Sequence, residues 1–137
     1  MWRGGTGALI SQRAQELPSK PVTYLCDTFK GVVKASDKDS TYRGGEHADT
    51  SEHHVRDLFS KLGIDNARIL VGIFPDDSFD VVKDETFRFV HLDVDSYQSA
   101  KDVFNFAWPR IPVGGVVVFD DFGFEVCDGI PTLIAEY

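Results

Sequence analysis

Two short, largely apolar runs constrain this chain more than anything else in it. Phe89-Val90-His91-Leu92 is stopped by Asp93-Val94-Asp95, and Val116-Val117-Val118-Phe119 is stopped by Asp120-Asp121. A run of this length with polar residues behind it is the pattern of a buried strand, which delivers whatever follows to one edge of a sheet. Parallel neighbours lie about 5 Å apart, so Asp93, Asp120 and Asp121 are expected to converge. Three carboxylates repel one another unless a cation lies between them, and an all-oxygen donor set suits Mg or Mn better than zinc. The bland alternative is that acids often end strands and open loops. Three acids on two adjacent strand ends are less easily explained that way.

Around these runs the chain reads as strands alternating with helices. The turn Arg3-Gly4-Gly5-Thr6-Gly7 precedes a helix over 8–17 that Pro18 closes. Backbone N–H groups at such a turn can meet an anionic or polar ligand. A strand is expected over 22–26, ending in Asp27, and a long loop over 32–48, of the length that serves as a lid or binding loop or is disordered. Asp49-Thr50-Ser51-Glu52 resembles a helix start, with Asp49 capping and Glu52 three residues on. Val55, Leu58, Phe59 and Leu62 follow at helical spacing, and Gly63 stops the helix. Further strands are expected over 67–74 and 87–92, then a helix over 97–108 with Ala100, Val103, Phe104, Ala107 and Trp108 on one face. A last strand over 116–119 precedes the start of a helix at 130–137. This alternation predicts an α/β fold with a mostly parallel sheet covered on both sides, in a single domain over 1–137.

Composition narrows the partners. A formal charge of −8, with no basic stripe, argues against nucleic acid. Cys26 and Cys127 show no CxxC spacing, so neither a structural disulfide nor a zinc knuckle is expected, and a reducing cytoplasm is the default location. No apolar run approaches the roughly 20 residues of a membrane helix.

In open parallel sheets ligands bind beyond the carboxyl ends of the strands, where Asp27, Asp76, Asp93, Asp120 and Asp121 all fall. Asp27 is a candidate for holding ribose hydroxyls, against the alternative of a turn-forming Asp. Asp95 shares the side of Asp93 by strand alternation and is either a fourth oxygen donor or, the preferred reading, the cap of the helix that begins near Tyr97. Glu46, His47, Asp49, His53 and His54 match no common zinc spacing. His47 is placed in the lid, and the other two histidines in solvent.

Several segments in order resemble a known family: Trp2-Arg3-Gly4-Gly5-Thr6-Gly7, Asp27-Thr28-Phe29-Lys30-Gly31-Val32, Gly44-Gly45-Glu46-His47-Ala48-Asp49-Thr50-Ser51, Gly72-Ile73-Phe74-Pro75, the run from His91 to Lys101 and the run from Gly114 to Gly123. Together they are similar to the macrocin O-methyltransferase family, which includes mycinamicin and novobiocin sugar O-methyltransferases. The resemblance implies a Rossmann-like class I methyltransferase fold, a three-layer sandwich, and methylation of a sugar hydroxyl with S-adenosylmethionine and a divalent metal, usually Mg. It casts Asp93, Asp120 and Asp121 as metal ligands and Asp93 also as general base. Gly4, Gly5 and Thr6 would border the methionine part of the cofactor, Asp27 its ribose, and Phe74 with Asp76 its adenine. The implied partner is a glycosylated small molecule, with a second copy of the chain left open. Catechol-type relatives carry a lysine three residues after the first metal Asp, where this chain has Ser96, which favours Asp93 as base.

Against the family pattern the chain lacks a first strand before Trp2, with its acid and glycine, and the last two strands. The first of these belongs between the strands ending at Asp27 and Asp93, so a gap through the cofactor site is expected. A truncated, non-catalytic fragment is therefore the main alternative. An NAD-dependent oxidoreductase is a lesser one, since Asp27 could hold a nicotinamide ribose; however, the full GxGxxG pattern is missing and the Asp120-Asp121 pair has no role in hydride transfer.

Overall fold

Helix α1 (Gly5–Gln15) starts inside the glycine run, three residues before the expected position. The computed structural model describes residues 3–137; Trp2, which opens the first of the motifs above, lies outside them. Gly4 is the N-cap at φ 84°, a left-handed conformation that glycine takes without a Cβ penalty, and Ala8 N donates to Gly4 O at 2.8 Å. Gly5, Thr6 and Gly7 therefore form the first turn themselves. The chain continues through β1 (Thr23–Asp27), α2 (Glu52–Lys61), β2 (Ala67–Val71), α3 (Phe79–Val82), β3 (Phe89–Leu92), α4 (Tyr97–Ala107), a 3-10 turn over Trp108–Arg110, β4 (Val116–Phe119) and α5 (Gly129–Ile134). Helix α3 has only four residues, too few for an apolar period to show in the sequence.

The strands pair in parallel as two couples. β1 runs beside β2 in register from Thr23–Ala67 to Asp27–Val71, and β3 beside β4 from Phe89–Val116 to Leu92–Phe119. Among the described residues no ladder joins the couples, so the expected single sheet is divided into two sheets of two strands. Each half has its own apolar core. Ala8, Leu25, Val55 and Phe59 gather α1 and α2 onto the first half. Leu92, Ala100, Phe104, Ile130 and Leu133 gather α4 and α5 onto the second, together with Val32 and Tyr42. Helix α4 buries Ala100, Phe104 and Ala107 on one face as the spacing predicts, whereas Trp108 stacks on Phe104 yet stays 59% exposed. No helix among the described residues is long and apolar enough to cross a membrane.

Two capping assignments are corrected. Ser51, not Asp49, caps α2, its side chain accepting from His54 N at 3.2 Å; Asp49 stands two positions too early and pairs with Arg3 at 2.7 Å. At α4 the N-cap is Ser96, whose side chain makes no capping bond. Asp95 is not the cap. Its φ is 61°, and its Oδ1 accepts from the Cys127 thiol at 3.9 Å, while the Tyr97 N–H donates to Asp39 Oδ1 at 2.8 Å.

Asp39 belongs to the long loop, which carries no regular element from 28 to 50. The loop is closed at its neck by Val32 N on Glu46 O (2.8 Å) and Gly45 N on Val32 O (2.9 Å). A Cβ on Gly31 would sit 2.1 Å from Glu46 O, so this closure needs glycine. Farther along, Ser96 and Ser99 both donate to Val33 O, and Lys34 Nζ bridges Asp76 (2.9 Å) and Asp102 (2.7 Å). The segment read as a lid is thus tied along its length to α4.

Candidate active site and metal centre

The carboxyl ends of all four strands line one cavity of about 520 Å³. Gly5 and Thr6 reach it from the start of α1, Asp27 and Thr28 from the end of β1, Gly72 and Phe74 from the end of β2, Asp93 and Asp95 from the end of β3, and Asp120 from the end of β4. Val32, Val33 and His47 of the loop close one side. Of the residues that the sequence assigned to a cofactor, Gly5, Thr6, Asp27 and Phe74 share this cavity, and Gly4 is the cap behind them. Asp76 does not line it and stands in its pair with Lys34. Asp27 also plays the turn-forming part, since its Oδ1 accepts from Phe29 N at 2.8 Å. At the end of β2, Gly72 takes φ 138°, and a Cβ there would lie 2.6 Å from Asp77 Cβ, so the close approach of this turn depends on glycine.

The parallel register of β3 and β4 brings the acids together as expected. One carboxylate oxygen from each of Asp93, Asp120 and Asp121 lies within 4.8 Å of the others. Ligands on opposite sides of an octahedral Mg are separated by about 4 Å, twice the Mg–O distance, so the spacing of this donor set is near what one ion needs. Asp121 is 7% exposed, and its Oδ2 accepts from Val94 N (3.1 Å) and Asp95 N (2.9 Å). Burial first, and then the charges of Asp95 and Asp93, push its carboxyl up to about 6 despite those two bonds. A buried acid crowded by like charge is what a cation would relieve.

A second set, Asp95, Asp121 and Cys127, shares Asp121 and also lies within 4.8 Å. Burial, with Asp121 beside it, pushes the Cys127 thiol up to about 11, so near neutral pH it stays protonated and is a poor metal ligand. The all-oxygen set is therefore the better fit to a hard divalent cation.

Two histidines of the site were given no role in it from the sequence. His91 Nε2 lies 3.2 Å from Asp120 Oδ1, a contact foreshadowed only by the His-x-Asp spacing that puts His91 and Asp93 on one side of β3. His47, placed in a lid by its position in the loop, lines the cavity at φ 62°, with Nε2 3.3 Å from Tyr42 Oη. His53 and His54 are exposed, as expected.

Comparison with known proteins bears on the family and the fold. The model of the Macrocin-O-methyltransferase (TylF) family matches residues 1–136. The chain is 31% identical over 142 residues to mycinamicin III 3''-O-methyltransferase of Micromonospora griseorubida, covering 93% of this chain and 54% of that protein. It is 26% identical over 148 residues to demethyldecarbamoylnovobiocin O-methyltransferase of Streptomyces niveus, covering 100% of this chain and 55% of that one. A solved structure of the O-methyltransferase NovP matches at a TM-score of 0.80 and 25% identity, over 100% of this chain and 60% of that chain. The chain thus spans about half the length of the curated relatives it matches. With a family match that runs over nearly every residue and a fold shared along its whole length, the chain belongs to the macrocin O-methyltransferase family.

Proposed function

We propose that the protein containing this chain methylates a sugar hydroxyl of a glycosylated natural product, using S-adenosylmethionine and a divalent cation, Mg by preference. The observation that carries this reading is the single cavity onto which the start of α1 and the carboxylates of β1, β3 and β4 all open. The relatives named above are O-methyltransferases by name, and two of those names give the acceptor, mycinamicin III in one and demethyldecarbamoylnovobiocin in the other.

In this reading Gly4, Gly5 and Thr6 hold the methionine part of the cofactor against the positive end of α1, and Asp27 accepts from the ribose hydroxyls. Phe74 packs against the adenine. Asp76 is assigned there too, for which it must first give up its pair with Lys34. Asp93, Asp120 and Asp121 hold the cation, which supplies the charge that makes a nearby hydroxyl more acidic. Asp93 would take the proton from that hydroxyl, and S-adenosylmethionine, when bound, would supply the methyl group for the oxygen, with its thioether as the leaving group.

Changing Asp93 to Asn is expected to lower turnover by at least about 10²-fold, the lower range for loss of a general base, with S-adenosylmethionine affinity by calorimetry unchanged. A variant of near-normal activity sinks the role given to Asp93. A folded sample of this 137-residue chain that binds no S-adenosylmethionine supports the non-catalytic fragment instead, a reading favoured by the divided sheet.

A further inference from the structure

The three acids of the candidate cation site are not held alike. Asp121 is buried and fixed by two backbone N–H groups, whereas the Asp120 side chain is 51% exposed and follows the last residue of β4. In the β3–β4 register His91 stands opposite Val118. Alternation then puts Asp120 on the same face as Val118, two residues on, diagonal to His91 and at a separation that a long side chain spans. The imidazole closes that diagonal, Nε2 to Asp120 Oδ1 at 3.2 Å, from a ring only 16% exposed.

We propose that His91 is a positioning residue for the cation site. From its place on β3 it donates Nε2–H to Asp120 Oδ1 and holds the most exposed of the three ligands in the orientation that a divalent cation needs. This rests on the metal reading proposed above. An exposed carboxylate gives up rotamer freedom when it binds an ion. One already in contact with a packed ring has less to lose. Groups that orient ligands in this way typically contribute about 10–100-fold to metal affinity. The bland account is that His91 merely fills space between β3 and its neighbours, and a ring of similar size would do that equally well.

The test is Mn²⁺ binding by the 137-residue chain, read from the electron paramagnetic resonance signal of free Mn²⁺, for the wild type, His91→Phe and His91→Gln. Phe keeps the ring and loses the donor; Gln keeps an amide N–H near the place of Nε2. Affinity is expected to fall about tenfold in His91→Phe and to be largely retained in His91→Gln. Equal affinity of His91→Phe and wild type, or equal losses in both variants, overturns the proposal. A folded wild type that takes up no Mn²⁺ overturns the metal reading itself, a result distinct from either. A nitrogen-15 spectrum of the unsubstituted protein gives a second measurement that needs no variant. The ring is expected to carry a proton on Nε2, and a ring protonated on Nδ1 alone overturns the proposal.

Discussion

Asp121 shows how a single buried acid can cost stability. Its carboxyl sits at about 6 against an ordinary 3.8, so the folded chain resists ionising it. A raised acid pKa means that the folded state binds the proton more tightly than the unfolded one. The resulting penalty is absent below about pH 4, grows to about pH 6 and is full above it. Each tenfold difference in proton affinity between the two states is worth about 1.4 kcal/mol, so Asp121→Asn in chelator at pH 7 is expected to raise unfolding stability by roughly 1–3 kcal/mol. The amide oxygen can still accept from Val94 and Asp95 N–H. Urea denaturation of both proteins reads this directly, and a lower midpoint for the variant contradicts it. The acids themselves were legible from where the apolar runs stop. The left-handed turn at Asp95 was not, because alternation along a strand says nothing once the strand has ended. His91 was equally hidden, since its importance lies in a diagonal neighbour that only the register reveals.

At the scale of elements, α5 shows how a short helix is held by its flank. Glu136, just beyond its end, accepts from Lys38 (2.7 Å), from the Tyr97 hydroxyl (2.7 Å) and from Lys101 (3.1 Å), and these partners pull its carboxyl down to about 2. A depressed acid stabilises the fold above its unfolded value, here about 4.5, and that contribution is lost as pH falls toward about 2. Glu136→Gln is therefore expected to be less stable than wild type by a margin that is constant above about pH 5 and shrinks toward pH 2, measured as urea midpoints across that range. A margin unchanged at acid pH contradicts the ion-pair account. The longer helices and all four strands were readable because each repeats an apolar period or forms a bounded apolar run. Helix starts were read less well: at α4 the decisive partner comes from elsewhere in the sequence, at Gly4 it is a single backbone angle, and at α2 two residues able to cap, Asp49 and Ser51, stand two positions apart.

For the molecule as a whole, the division between β1–β2 and β3–β4 matters most. The two halves have separate apolar cores and no shared ladder among the described residues, so they are expected to open separately. Native-state hydrogen exchange should give one opening free energy for amides of β1 and β2 and a different one for β3 and β4. A single value across all four strands contradicts this. The loop contributes Val32 and Tyr42 to the second core only, so its protection should follow β3 and β4. Its Asp39 has one further consequence, which concerns the order of events in folding. The first N–H of α4 is satisfied by a residue 58 positions earlier, so that turn is completed only after a long stretch of chain has been closed. A single polar contact that must wait for so long a closure is expected to form late in folding. Asp39→Ala should therefore leave the refolding rate almost unchanged in stopped-flow experiments and show its effect as faster unfolding. The acid edge would then rest on a helix whose final closure is late to form and early to be lost.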